Sequence, residues 1–492
     1  MKNTQVMLLA DAYKLHHRVQ YPKGTEIVYS NFTPRQSLIP NVNEVVTFGI
    51  QKVIKEFLIN EFNDNFFSEP KERVVSDYVR VMKNVFFDPN PETKHIEDLH
   101  DLGYLPLSIK SLPEGTLCPL RVPMLTIENT NPKFFWLTNF LETLISCELW
   151  QSCTSATIAY QYRKLVEGYA KETGGDLGFL DYQCHDFSFR GLSSVNSAIN
   201  SGLGHLISFC GTDTMPAILA AEEYYNSNIE KEMIGTSVNA TEHSVMTAGG
   251  SDEKETFLRL LTEVHPKGIL SVVSDTWDFW NIVGNVLPQI KDVIVAREGK
   301  LVIRPDSGDP VKIVCGDLSS DNDIIRGGLI ESLWNTFGGT INDKGYKVLD
   351  GHIGAIYGDS ITLKRASDIC KNLQEKGFCS TNIVFGIGSF TYQFNTRDTF
   401  GFAMKATSVT INGEEKAIWK APKTDDGTKN SKRGRVAVIK NNLNKIVCLD
   451  GLTKNDNIEG NLLVEIFKDG KLLVDESFST IRNRLKEQNN VN

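Results

Sequence analysis

From about residue 180 the sequence alternates short apolar runs with longer segments of helical spacing, and four of the runs end on Asp or Gly. That alternation predicts parallel β/α units, because a parallel partner strand is reached only through a helix-length crossover. The clearest run is Leu301-Val-Ile-Arg-Pro-Asp-Ser-Gly-Asp-Pro310, three aliphatic residues followed by a cation and two carboxylates. A continuous apolar run suits a strand covered on both faces, and proline cannot extend its ladder. Arg304, Asp306 and Asp309 then fall at the C-terminal end of the strand, where β/α barrels collect their chemistry. Taken alone, the decapeptide fits a surface turn with a local Arg–Asp pair equally well. Its companions favour the barrel: Ser271-Val-Val-Ser-Asp275 leads into a helical segment at 277–287, residues 353–357 end in Gly358-Asp359 before a helical segment at 361–376, and residues 383–389 finish on Gly386-Ile-Gly-Ser389. Bare backbone N–H groups at such strand-to-helix junctions can hold a phosphate. Their spacing is neither that of a dinucleotide fingerprint nor that of a Walker loop.

The flanking sequence is different in kind. Residues 25–35 alternate as a strand would, residues 51–62 and 71–87 have helical spacing, and residues 103–128 give short strands punctuated by Pro and Gly. Two helices are expected at 134–150 and 154–172, the second ending at Gly174-Gly175. Asp11, ahead of Ala-Tyr-Lys-Leu-His-His17, has the position of a helix N-cap. Beyond Arg397 the chain is polar and strand-rich; residues 420–435 form a Gly-, Lys- and Asp-rich loop expected to move, and 486–492 a frayed tail. The 492 residues imply more than one domain. We expect an N-terminal α+β domain at 1–150, a β/α barrel domain with the active site at 151–400, and a strand-rich segment at 401–492 packing on the N-terminal domain.

The formal net charge of −9 argues against general nucleic-acid binding, while leaving room for a local basic pocket for a phosphorylated small molecule. No apolar run is long enough to span a bilayer and the opening run is short for a signal peptide, so a soluble cytoplasmic protein without a membrane partner is expected. Nine cysteines without a CxxC pair fit reduced thiols in the core better than a disulfide framework or a zinc site.

Three further stretches carry chemistry. His185-Asp-Phe-Ser-Phe-Arg-Gly191 sets an aromatic residue between a histidine and an arginine, which suits a flat ring on Phe187 and an anion at Arg190, although alternating aromatics also serve cores. Gly211-Thr-Asp213 offers a carboxylate beside a glycine, and Ser237-Val-Asn-Ala-Thr-Glu-His243 ends a small-residue loop on a histidine. In order and over nearly the whole chain, Asp11-x-Tyr-Lys, His185-Asp-Phe-x-x-Arg-Gly191, Gly211-Thr-Asp-Thr214, Ser237-Val-x-Ala-x-Glu-His-Ser244, Val272-Val-Ser-Asp275, Ile303-Arg-Pro-Asp-Ser-Gly308, Gly358-Asp359 and Thr396-Arg-Asp398 resemble the nicotinamide phosphoribosyltransferase family.

The resemblance implies an α/β protein, an irregular β/α barrel of the type II phosphoribosyltransferase kind with an additional mixed α+β domain, working as a homodimer with active sites at the interface. It implies synthesis of nicotinamide mononucleotide and diphosphate from nicotinamide and 5-phosphoribosyl 1-diphosphate, with magnesium, coupled to ATP hydrolysis. Carried over by residue, it assigns Phe187 to stack on the pyridine and Asp213 to receive the carboxamide N–H, with Asp11 and Tyr13 of the other subunit completing the pocket. Arg190, His243 and Arg304 would contact diphosphate, Asp306 and Asp275 would hold ribose hydroxyls or metal-linked groups, and Gly358, Asp359, Gly388, Ser389 and Arg397 would bind the 5′-phosphate. Arg35 and Lys405 are further phosphate candidates. His243 is the expected phosphoryl acceptor from ATP, with Glu242 orienting its ring; no magnesium ligand set is assigned. The chain departs from the family at Ser188, Phe189 and Ser389, where Gly, Tyr and Gly are usual. A nicotinate or quinolinate phosphoribosyltransferase would share the barrel but place cations, not Asp213, at the ring substituent; a catalytically silent dimeric binding protein would share the fold alone.

Overall fold

The computed structural model describes residues 5–424, 427 and 429–489 and resolves into two compact units, one formed by the chain up to 157 with 220–227 and the chain from 395 onward, the other by 158–219 and 228–394. The excursion at 220–227 has no counterpart in the division expected from sequence.

The second unit is built on a seven-stranded sheet in the order Gly211–Thr212, Cys184–Asp186, Ile383–Ile387, Ile353–Tyr357, Glu298–Arg304, Lys267–Val273, Asn239–Ala240. Every pairing is parallel. An additional parallel bridge joins Gly211 to Thr236, three residues before the opposite edge strand, so the sheet curls toward closure as an irregular barrel. Leu301, Ile303, Val272, Ile353, Ala355 and Phe385 are buried along the central strands, as continuous apolar runs require. The helices returning along the sheet present apolar stripes; Leu363–Glu375 buries Ala366, Ile369, Cys370 and Leu373, at the spacing of one helical face, and is capped by Thr362. Asp309, the second carboxylate of the 301–310 stretch, caps Pro310–Cys315 by accepting from the N–H groups of Val311 (2.9 Å) and Lys312 (3.3 Å). It is a structural residue.

The first unit holds a seven-stranded antiparallel sheet ordered Glu414–Ala417, Ala403–Ile411, Thr25–Thr33, Leu125–Asn129, Leu107–Ser111, Val464–Lys468, Lys471–Leu472. The N-terminal strand thus lies between a C-terminal one and the strand at 125–129, and Phe32 stacks on Phe402 with centroids 5.4 Å apart.

Several expectations are corrected. The helices expected at 134–150 and 154–172 are largely one, Glu142–Thr173, preceded by short turns at 132–140; no Gly or Pro interrupts 150–154, and Ser152, Cys153 and Thr154 are buried within the helix. The helical segment at 277–287 starts only at Phe279, where Asp278 caps it, and passes through a π-turn at Ile282–Val286. The tail is helical through Asn489, with Leu485 buried and Gln488 hydrogen-bonded to Gly115 and Leu117; residues 490–492 lie outside the described residues. Of the 420–435 loop, Asp425, Asp426 and Thr428 also lie outside them, while Lys420 and Ser431 hydrogen-bond across its base. None of the nine cysteines is in a disulfide and seven are buried, and no helix among the described residues is long and apolar enough to cross a membrane.

Glu114 of the first unit gives a pH test of this packing. It accepts from the N–H groups of Gly49 (3.0 Å) and Gln51 (2.6 Å) and from the Tyr225 hydroxyl (3.1 Å), yet complete burial pushes its carboxyl up to about 7. The folded protein therefore binds a proton that the unfolded chain has released, and stability from this group falls as pH rises from its ordinary value toward 7, by at most about 3 kcal/mol. Comparison of urea unfolding at pH 5 and pH 7.5 should show that downward slope in the wild type and its loss in Glu114→Gln, whatever the variant's mean stability. Equal slopes would refute the assignment.

Candidate active site

The parallel register sets the residues just past the strand ends side by side. Arg304 pairs with Val273, so Asp275, two residues on, meets the turn after Arg304. The Asp306 N–H (2.9 Å) and the Ser307 hydroxyl (2.6 Å) both donate to Asp275 Oδ2. Asp275 Oδ1 is buried without a hydrogen-bond partner and stands 3.8 Å from His243 Nε2. The other ring nitrogen, Nδ1, lies 3.1 Å from Thr276 Oγ1. Arg304 donates from Nη2 to the Thr241 carbonyl at 2.8 Å, while its Nε is 3.5 Å from Asp306 Oδ1 and neither of those two atoms is hydrogen-bonded. Burial raises the Asp306 carboxyl, the Arg304 guanidinium opposes that shift and the Asp275 charge adds to it. Each unsatisfied buried polar atom costs on the order of 1–3 kcal/mol, so a cluster of three is the mark of a place where a ligand supplies the missing partners.

Glu242 does not orient the His243 ring as expected from the sequence: its carboxylate is taken by the Ser244 hydroxyl, and Thr276 holds the ring.

A second group forms at the ends of Cys184–Asp186 and Gly211–Thr212. Buried Asp186 is its hub, accepting from Ser188 N (2.9 Å), Ser188 Oγ (2.6 Å) and Thr214 Oγ1 (2.8 Å), while its carbonyl receives the Asp213 N–H (2.9 Å). The hydroxyl of Ser188 is thereby used. Phe187 is fixed by its N–H to the Ile387 carbonyl (2.9 Å), and its ring lies 4.5 Å from that of His185. His185 Nε2 (2.9 Å) and the Ser237 hydroxyl (2.5 Å) converge on Asp213 Oδ1. Burial pushes the Asp213 carboxyl up, but these hydrogen bonds outweigh it and hold the group below the usual carboxylate range. Arg190 is exposed on the turn Phe189–Gly191.

Glycines shape the third group. A Cβ on Gly358 would lie 2.0 Å from Asp306 Oδ1, and one on Gly386 would lie 2.8 Å from Phe187 Cδ2 and from the Gly358 Cα. Only bare backbone lets these strand ends approach so closely. Gly388 precedes the short helix Ser389–Tyr392 in extended conformation, and Ser389 is that helix's first residue, so neither position depends on a left-handed backbone. Asp359 accepts from the neighbouring Ser360 hydroxyl at 2.7 Å.

The structure thus brings together Phe187, Asp213, His243, Asp275, Arg304, Asp306, Gly358, Asp359, Gly388 and Ser389 at the C-terminal ends of one sheet. The sequence reading gave no role to His185, Asp186, Ser237, Ser271 or Thr276. Ser271 is a buried hydroxyl without a hydrogen-bond partner, on the same strand face as Val273 and Asp275; a serine inside an apolar run was its only signal.

Asp11, Tyr13, Arg35, Arg397 and Lys405 belong to the other unit. Asp11 is not a side-chain cap; its carboxylate accepts from the Thr143 hydroxyl at 2.8 Å. Tyr13 is 57% exposed. Arg35 donates to the Gly401 carbonyl at 2.8 Å, and Arg397 opens the turn Arg397–Thr399 with its side chain half-exposed. Lys405 Nζ lies 3.7 Å from Glu142, which also pairs with Lys14 at 2.5 Å. Burial lowers the Lys405 ammonium, Glu142 opposes this, and Arg35, Lys420 and Lys14 lower it further. Cations therefore outnumber the carboxylate there.

The profile of the Nicotinate phosphoribosyltransferase (NAPRTase) family matches residues 182–471, and that of the Nicotinamide phosphoribosyltransferase N-terminal domain matches residues 5–109. A nicotinamide phosphoribosyltransferase of Acinetobacter baylyi is 48% identical over 491 residues, covering 97% of this chain and 96% of that protein. One of Mycoplasma pneumoniae is 38% identical over 445 residues, covering 87% and 94%. The fold is similar to that of nicotinate-nucleotide pyrophosphorylase from Pyrococcus furiosus, with TM-score 0.60 over 98% of this chain and 95% of that one, at 17% identity. So low an identity speaks for the architecture alone, whereas the two sequence relatives speak for descent. With matches that run nearly end to end, the chain belongs to the nicotinamide phosphoribosyltransferase family.

Proposed function

We propose that this enzyme transfers the phosphoribosyl group of 5-phosphoribosyl 1-diphosphate to the ring nitrogen of nicotinamide, releasing nicotinamide mononucleotide and diphosphate in NAD salvage. The observation that carries this reading is Asp213, whose two protein donors both fall on Oδ1. An ionised carboxylate only accepts, so its second oxygen is suited to a carboxamide N–H and repels the carboxylate of nicotinate. Phe187, fixed at the same strand ends by its N–H to the Ile387 carbonyl, supplies a face for the pyridine ring. The three unsatisfied atoms of Arg304, Asp275 and Asp306 are suited to the activated sugar. The guanidinium favours the diphosphate, and the carboxylates favour ribose hydroxyls and the oxocarbenium character that develops at C1 as the leaving group departs. Gly358, Asp359, Gly388 and Ser389 offer close backbone for the 5′-phosphate, with Arg190 as an additional cation.

Magnesium fits this donor set through the free oxygens of Asp275 and Asp306. A hard cation of this kind takes one or two carboxylates and completes its shell with substrate phosphates and water. Bound there, it would neutralise charge building on the departing diphosphate. ATP is proposed as a co-substrate whose γ-phosphoryl group is taken by His243. A homodimer is proposed in which Asp11 and Tyr13 of one protomer close the ring pocket of the other, and Arg35, Arg397 and Lys405 add cations to the phosphate end.

Three outcomes are expected. In the wild type kcat/KM for nicotinamide should exceed that for nicotinate by between about 10² and 10⁴, the upper figure being that of a fully desolvated polar contact. Asp213→Asn should shrink the ratio, since the amide can turn a donor toward nicotinate; an unchanged ratio would remove Asp213 as the selector. His243→Ala should abolish stimulation by ATP and retain some ATP-independent synthesis, measured as product formed with and without the nucleotide. Finally, inactive Tyr13→Ala and Asp306→Ala protomers, mixed in equal amounts and allowed to exchange, should recover about a quarter of wild-type activity, because half the dimers carry one undamaged site of two. No recovery after demonstrated exchange would place the whole site within one chain.

A further inference from the structure

We propose that Thr276 is the positioning residue for His243: it holds Nδ1, so that Nε2 is the nitrogen that takes the phosphoryl group. The proposal rests on the ATP reading above and adds to it which atom reacts and what aims it. His243 begins the short helix His243–Ala248, and its side chain is 51% exposed, so burial does not fix the ring. Among the described residues its one hydrogen bond is to Thr276 Oγ1, at 3.1 Å from Nδ1. Thr276 follows Asp275 directly and starts no helix of its own, so its position is inherited from the anchored turn in which Asp275 receives Asp306 N and Ser307 Oγ. Nε2 lies 3.8 Å from the unsatisfied Asp275 Oδ1, beyond hydrogen-bond length, and so faces that oxygen without being bound to it. Glu242, the neighbour in sequence, is engaged by Ser244 instead.

The chemistry requires that division. A neutral imidazole has one N–H and one lone pair. When the Nε2 lone pair forms the N–P bond, the bond from the γ-phosphorus to the β,γ-bridging oxygen breaks and ADP leaves with that electron pair. The proton stays on Nδ1, and the ring now shares a positive charge that an acceptor at Nδ1 stabilises. The Thr276 hydroxyl oxygen is that acceptor. Valine has the same shape and no acceptor; serine keeps it.

The test uses the full-length enzyme with Thr276→Val, Thr276→Ser and, should the valine variant not fold, Thr276→Ala. Proteins labelled with ¹⁵N-histidine are first examined without nucleotide: the wild type and Thr276→Ser should show one His243 tautomer, protonated on Nδ1, and Thr276→Val a mixture. Phosphorylation by ATP is then followed by ³¹P NMR of the protein, which distinguishes the two phosphohistidine isomers. Wild type and Thr276→Ser should carry the Nε2 isomer, and Thr276→Val should be labelled about tenfold more slowly, the loss expected for one hydrogen bond. Phosphate on Nδ1 in the wild type, or unchanged tautomer and labelling rate in Thr276→Val, would overturn the proposal. A single wild-type tautomer that Thr276→Val disperses, in a protein that never takes up phosphate, would instead overturn the ATP reading while leaving the role of Thr276 in aiming the ring.

Discussion

The hydrogen bond from the Asp306 backbone to the Asp275 carboxylate is the joint on which the site depends. One side chain reaches across from its own strand end and receives both a main-chain N–H and a hydroxyl from the next, using up a single oxygen. The rest follows from that asymmetry. Oδ2 accepts both donors and fixes the two loops against each other; Oδ1 is left buried and, among the described residues, without a hydrogen-bond partner. Arg304 is likewise divided, one nitrogen tied to the Thr241 carbonyl and another free. Asp213 repeats the scheme at the neighbouring group, with both donors on one oxygen. Half of each functional group is spent on rigidity, and half is kept for whatever binds.

How far the sequence could be read depended on the range of the interaction concerned. The run Leu301 to Ile303 and the polar turn after it are local, and both were legible; Gly358 and Gly386 were read only as phosphate-holding backbone, and the close strand contacts they permit belong to the folded sheet. The β/α alternation likewise foretold the parallel sheet. What failed was choice among local alternatives that distant packing decides. Ser-Cys-Thr-Ser at 152–155 has weak helix propensity, and only burial shows it to be the middle of a long helix. Asp309 looked like a ligand and is a cap; Asp11 looked like a cap and is held by Thr143.

Side-chain pairing across strands was the other blind spot. Thr276 stands next to Asp275 in sequence, yet its partner, His243, lies 33 residues earlier on another strand end. Glu242, adjacent to His243, drew the assignment instead. His185 and Ser237 were in plain view inside motifs, but their convergence on one oxygen of Asp213 exists only once the Gly211–Thr212 strand has paired with Cys184–Asp186.

The antiparallel sheet has a consequence for synthesis. Thr25–Thr33 pairs with Ala403–Ile411, and Phe32 stacks on Phe402, so a strand made near the start of translation waits for partners made near its end. At ribosomal rates of about 5–20 residues per second that delay is on the order of 20–70 s. The parallel sheet, whose strands lie between residues 184 and 387, can be completed while the earlier strand still has one open edge. Unpaired apolar edges are where chains join the wrong neighbour. The nascent chain is therefore exposed during the very interval in which its catalytic half is already able to fold, and its dependence on chaperones should be governed by residues 25–33 and not by the barrel.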